Sequence, residues 1–239
     1  MKTFNHSLRT AVLSVAFTIV APSAVAQGLD VPAKNLPVPD SVSPQIQKLI
    51  AAPRRAGWDV LPKTGQEWKP VAEAGAAGTL KALPGLIERM KVRVEKTTFD
   101  GARGFIVTPE RVGADNLNRV LIHMHGGCYV LSPGEAGLPE AVMMAGLGGF
   151  KVISVDYRMP PEAYFPAALD DGMAAYKHAL KTTPAKNIAI FGTSAGGALT
   201  LEMVLRAKQL GLPVPAAIAP GTPMSDVTKV GDTFYTNEL

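Results

Sequence analysis

Cysteine is all but missing from this 239-residue sequence, with Cys128 standing alone. That excludes an intramolecular disulfide and any cysteine-built zinc or iron–sulfur site. Charge is sparse too, at 18% of residues, and hydrophobic residues make up 47%. Such a chain can bury one large core and is not a disordered polyampholyte. No long Lys/Arg run accompanies the formal net charge of +4, so a nucleic-acid partner is not expected. Gly (23) and Pro (20) are plentiful but stay below the level of a low-complexity chain. Internal repeats and flexible linkers are absent as well.

One apolar run of some length is present, and it comes first. Thr10–Ala21 (TAVLSVAFTIVA) follows Lys2 and Arg9 and precedes Ala24-Val25-Ala26. This is the charged, apolar, small-x-small order of an export signal, and twelve residues are too few to span a bilayer comfortably. Residues 1–26 are therefore expected to be a signal peptide cleaved after Ala26, giving a periplasmic or secreted protein without a stable membrane span; an uncleaved anchor is the alternative. Cleavage would remove Lys2 and Arg9 and lower the net charge from +4 to +2.

Residues 27–90 hold both tryptophans, Trp58 and Trp68, and many prolines. Ser43-Pro44 reads as a helix start, with Ile46, Leu49 and Ile50 on one face and Pro53 as the stop. A second helix is expected between Gln66 and Met90, interrupted at Pro84. Together these form a helical extension packed on a larger domain, residues 91–239. There Val92 and Val94 alternate with charged residues, and Asp100-Gly101 marks a hairpin turn before Gly104–Val107. The unbroken runs Val120–Ile122, Val152–Val155, Ile188–Phe191 and Ala216–Ala219 predict strands buried on both faces. Leu169, Met173, Tyr176 and Leu180 predict an amphipathic helix between two of them. The fold class is α/β, with a mostly parallel central sheet and flanking helices.

Gly192-Thr193-Ser194-Ala195-Gly196 fits G-x-S-x-G. It follows a predicted strand and opens a predicted helix over Ala195–Leu210, as a nucleophile elbow requires. The glycines relieve crowding at a strained turn, and the helix N-terminus favours a developing anion. His125-Gly126-Gly127-Cys128-Tyr129 ends the Val120–Ile122 run. Its glycines let backbone N–H groups point at one oxygen, so Gly126, Gly127 and Ala195 are candidate oxyanion donors; a plain Gly-Gly turn is the alternative. A phosphate-binding loop fits poorly, because the elbow is not G-x-G-x-x-G and lacks the P-loop lysine.

Between these motifs lie Asp156-Tyr157-Arg158-Met159-Pro160-Pro161-Glu162 and Phe165-Pro166-Ala167-Ala168-Leu169-Asp170-Asp171. With all three blocks in order, the chain resembles the hormone-sensitive-lipase-like branch of the α/β-hydrolases from about Lys91 onward. The resemblance implies an α/β-hydrolase fold with an N-terminal helical lid. It also implies a serine esterase acting on a small-molecule ester or lactone, without metal or organic cofactor. Ser194 would be the nucleophile, and Gly126, Gly127 and Ala195 would supply the oxyanion hole. His125 would shape the oxyanion loop, while Asp156, Arg158 and Glu162 would hold a loop together through ion pairs. Cys128 replaces a glycine that many members carry. No basic residue stands beside it in sequence to activate the thiol, so it is not read as a nucleophile. His178 lies off the apolar stripe of its helix and is read as solvated; His123 and His125 end a strand near the site.

The order of the triad in these enzymes is Ser, then Asp or Glu, then His. The 45 residues after Ser194 contain no histidine. Asp226 and Asp232 resemble the stretch just past the sixth strand of the family, ahead of its catalytic acid. The expectation is therefore a chain lacking the last strands, the acid and the base. It is either a fragment, a form completed by a second polypeptide, or a hydrolase-fold protein without catalysis.

Overall fold

A computed structural model of the chain describes residues 37–53, 61–224, 226 and 228. The predicted signal peptide, residues 1–26, lies outside the described residues, as does Asp232. Two compact units are present, Met1–Trp58 and Asp59–Leu239. In the first, helix α1 (Pro44–Ile50) is capped by Ser43, whose hydroxyl accepts from the Ile46 N–H, and proline occupies its first turn. No residue of α1 is buried.

The second unit opens with α2 (Gly65–Met90), capped by Thr64 and running through both Pro70 and Pro84. The expected interruption at Pro84 does not occur. Pro84 removes one N–H from the helix ladder and frees the carbonyl of Leu80. Leu80 and Pro84 are both exposed, so that carbonyl faces water, while the neighbouring Leu83 is buried and holds the turn against the core.

Strands β1 (Val92–Phe99) and β2 (Ala102–Pro109) form the predicted hairpin. Asp100 and Gly101 both have positive φ, at 50° and 95°, the backbone of a tight hairpin turn. Then follow β3 (Val120–Met124), α3 (Pro139–Gly148), β4 (Lys151–Val155), α4 (Ala167–Leu180), β5 (Ile188–Thr193), α5 (Ala195–Gln209) and β6 (Ala217–Gly221). The strand order is β1-β2-β4-β3-β5-β6, with β1, β2 and β4 joined antiparallel and β4, β3, β5 and β6 parallel.

Alternation along the central strands sends side chains into two cores. Ile122, Met124, Ile153, Val155, Ile188 and Ile190 meet Leu169, Met173, Tyr176, Leu199 and Met203 of α4 and α5. Leu121, Val152 and Phe191 face the other way, against Leu83 of α2 and Leu138, Ala141, Val142 and Ala145 beside and within α3. At the sheet edge, β6 departs from the sequence expectation: Ala217, Ile218 and Ala219 are exposed among the described residues, because β6 pairs with β5 on one side and no described strand lies on its other side.

Candidate active site

Ser194 stands alone between β5 and α5 with φ 58° and ψ −116°. A non-glycine residue adopts such a backbone only when its surroundings hold it there. They do: its N–H donates to the Gly221 carbonyl of β6 (2.9 Å), and its own carbonyl accepts from the Ala198 N–H (3.0 Å). A Cβ on Gly192 or Gly196 would run into the Met124 carbonyl, so only glycine lets the turn press against β3. The N-terminal turn of α5 carries no acidic residue, which leaves the positive end of its dipole unneutralised beside Ser194.

The loop after β3 lies against this turn. A Cβ on Gly126 would sit 2.8 Å from the Thr193 carbonyl oxygen and 3.6 Å from the Ser194 Cβ. Gly127 has φ 122°, and its carbonyl accepts from the N–H groups of Val130 and Leu131. Among the described residues, no backbone carbonyl accepts from the N–H of Gly126, Gly127 or Ala195. The loop continues through Cys128 (φ 53°) and Tyr129 (φ 60°), both in the left-handed region. A glycine would meet no steric penalty in the Cys128 conformation, a feature that the sequence alone did not expose.

His125 is buried beneath the loop. Its Nδ1–H donates to the Gly126 carbonyl (2.8 Å), and its ring stacks on Tyr157 with centroids 4.1 Å apart. Burial pulls its pKa down to about 4, against the opposing hydrogen bond to Gly126, so the ring is neutral at pH 7. Its Nε2 has no hydrogen-bond partner among the described residues. His123 is fully buried, with Ser154 Oγ 2.9 Å from Nδ1 and Glu140 Oε2 3.2 Å from Nε2. Neither histidine makes a hydrogen bond to Ser194. His178 is half-exposed, 3.5 Å from Asp100 on the far side of the hairpin turn.

The charged residues of the β4–α4 loop are paired. Arg158 donates to the buried Asp171 from its backbone N, Nε and Nη2. Asp156 accepts from the Gly134 N–H and meets Arg103 at 3.4 Å, and Glu162 meets Lys69 of α2 at 2.8 Å. These contacts agree with the loop-holding role expected of Asp156, Arg158 and Glu162. Beside the loop lies a mostly apolar cavity of about 360 Å³ lined by Tyr129, Tyr164, Phe165, Leu169, Leu199 and Glu202.

Residues 121–238 match the model of a family described by its α/β-hydrolase fold. The chain has the α/β-hydrolase fold. Within that fold it resembles the hormone-sensitive-lipase-like esterases. It is 31% identical over 121 residues to an acetyl-hydrolase of Streptomyces hygroscopicus, an overlap covering 50% of this chain and 40% of the relative. It is 34% identical over 129 residues to the hormone-sensitive lipase of Homo sapiens, covering 52% of this chain and 12% of the lipase. Among solved structures, the esterase E25 superposes with a TM-score of 0.77 at 33% identity, over 88% of this chain and 66% of that one. The matched region spans less than half the length of these curated relatives.

The sequence had pointed to Ser194, Gly126, Gly127 and Ala195, and in the fold they lie in the loop after β3 and at the adjoining β5–α5 turn. It had not pointed to Glu140 or Thr193 as partners, nor to Tyr157 as the plate under His125. Their contacts join residues 32 and 53 positions apart, which no local pattern announces.

Proposed function

We propose that the chain carries the nucleophile and oxyanion hole of a carboxylic-ester hydrolase. The observation that supports this reading is the Ser194 backbone, held at positive φ on a strand-to-helix turn with Gly126 against it. Ser194 Oγ attacks the ester carbonyl, and the N–H groups of Gly126, Gly127 and Ala195 receive the oxygen that becomes negative. The Ser194 proton passes through solvent to the leaving alkoxide, which departs as the alcohol; water then adds to the acyl-serine, and the acid leaves as a proton returns to Ser194 Oγ. A short-chain ester or a lactone is the proposed substrate class, on the likeness to an acetyl-hydrolase and to an esterase. No metal or organic cofactor enters these steps.

The test is labelling by a serine-directed fluorophosphonate, read by intact mass and peptide mapping. One phosphonyl group on Ser194, lost in Ser194→Ala, supports the reading; equal labelling of Ser194→Ala overturns it.

A second reading, a hydrolase fold without turnover, is favoured by one observation. His123 and His125 make their hydrogen bonds to Ser154, Glu140 and Gly126, so neither is placed to take the Ser194 proton. Labelling of Ser194 by a fluorophosphonate without hydrolysis of p-nitrophenyl acetate by the purified chain is the result this second reading expects.

We further propose export, with cleavage after Ala26. N-terminal sequencing of protein from its native host tests this, and a cytoplasmic chain that retains Met1 refutes it.

A further inference from the structure

Alternation along β5 places Ala189, Phe191 and Thr193 on one face of the sheet, the face covered by α3. On the same face, His123 of β3 lies in register with Ser154 of β4 and Phe191 of β5. Glu140, in the first turn of α3, reaches down onto this row. Its Oε1 accepts from the Thr193 hydroxyl at 2.8 Å, and its Oε2 accepts from His123 Nε2–H at 3.2 Å. The Ser154 hydroxyl completes the chain at His123 Nδ1, 2.9 Å away. His123 is held between these groups with its ring against Phe191, centroids 4.9 Å apart.

The ends of this chain are informative. Thr193 immediately precedes Ser194, and His123 lies two residues before His125 and three before Gly126. One carboxylate therefore grips the strand that delivers the nucleophile and the strand that delivers the oxyanion loop. We propose that Glu140 is a positioning residue, which fixes the distance between Ser194 and the N–H groups of Gly126 and Gly127 through Thr193 and His123.

The geometry accounts for each member. Thr193 is exposed on its outer side, so its hydroxyl has water as an alternative partner and is not bonded to Glu140 merely to avoid an unmet buried group. Glu140 is half-buried. Burial raises its pKa, but the hydrogen bonds from His123 and Thr193 outweigh that and hold it below the ordinary carboxylate range. Its charge also lies at the N-terminal end of α3, where the helix dipole favours it. The carboxylate is thus ionised and accepts from both sides at neutral pH.

The proposal rests on the reading of Ser194 as nucleophile, so its test has an arm that does not depend on chemistry. Amide hydrogen exchange is measured for the segments 124–130, 193–198 and 139–148 in the wild type, Glu140→Ala and Glu140→Gln. Removing a charge-assisted acceptor is expected to speed exchange in 124–130 and 193–198 together, by about tenfold in Glu140→Ala and less in Glu140→Gln, which keeps one acceptor oxygen. Faster exchange confined to 139–148, or no change in either active-site segment, overturns the proposal, because Glu140 then serves only α3.

The second arm follows fluorophosphonate labelling of Ser194. Thr193→Val is expected to label about tenfold more slowly at unchanged probe affinity, and Thr193→Ser, which restores the donor, to label near the wild-type rate. Labelling of Thr193→Val at the wild-type rate overturns the proposal. A wild type that does not label refutes the nucleophile reading instead, and the exchange arm alone then decides the role of Glu140.

Discussion

The Tyr157 hydroxyl donates to the His125 backbone carbonyl over 2.7 Å while its ring lies parallel to the His125 imidazole. One side chain thus holds both the backbone and the ring of the residue that leads into Gly126. Burial pushes the Tyr157 phenol far above its ordinary pKa, which keeps it a donor at every working pH.

Tyr157→Phe should cost about 1–2 kcal/mol of folding stability, because a buried carbonyl loses its partner while the ring stack survives. Urea denaturation measures the loss. Ser194 labelling should slow more than stability alone explains, since the freed carbonyl belongs to the strand end that carries the oxyanion loop. Labelling at the wild-type rate would show that the loop does not depend on this bond.

His125 makes stability depend on pH. Its pKa falls from an ordinary 6.5 to about 4 in the folded chain, chiefly through burial. Between those values the unfolded chain binds a proton that the folded chain refuses, so stability rises with pH. The contribution is complete above pH 6.5, falls as the solution is acidified toward pH 4, and amounts to about 3 kcal/mol. Urea midpoints at pH 7, 6 and 5 should decline in the wild type and decline less in His125→Asn. Parallel declines in the two proteins would remove His125 as the cause.

Cys128 tests the backbone of the loop directly. At φ 53° a glycine meets no steric penalty, whereas a β-branched side chain is strongly disfavoured. Cys128→Gly should hold stability within about 1 kcal/mol of the wild type, and Cys128→Val should lose about 2 kcal/mol. Thermal melts of the pair check the difference. In the same loop, Gly126→Ala places a methyl group 2.8 Å from the Thr193 carbonyl and should slow Ser194 labelling by about 100-fold.

Much of this was legible in the sequence because it is local. The Asp100-Gly101 turn, the apolar runs of β3 to β6 and the Gly-flanked Ser194 each carry their signal within a few adjacent residues. Pro84 misled because a local rule was overridden: burial of Leu83 and hydration around Leu80 let α2 run on. The exposure of β6 depends on what lies beside it, which its own residues do not encode. Glu140 escaped notice for the same reason. An acidic residue after Leu138-Pro139 reads as the start of a helix, and its partners Thr193 and His123 come into view only when β3 and β5 are paired.

A serine hydroxyl becomes an effective nucleophile when a neighbouring base takes its proton. Three histidines lie among the described residues, and each is engaged away from Ser194: His123 with Ser154 and Glu140, His125 with Gly126, and His178 near Asp100. His125 is a weak base besides, with its pKa near 4. Loss of the triad histidine costs about six orders of magnitude in a serine protease, leaving the oxyanion hole and binding to supply the remainder. The purified 239-residue chain should therefore react with a fluorophosphonate slowly, over hours, and hydrolyse p-nitrophenyl acetate barely above the Ser194→Ala background. His123→Gln and His125→Asn should lower that small residual rate by no more than about tenfold, through the loops they support, because neither ring receives the proton. Turnover at ordinary enzyme rates, abolished by Ser194→Ala and by one of the histidine substitutions, would identify that histidine as the base and overturn the assignment of both rings to the support of the loops.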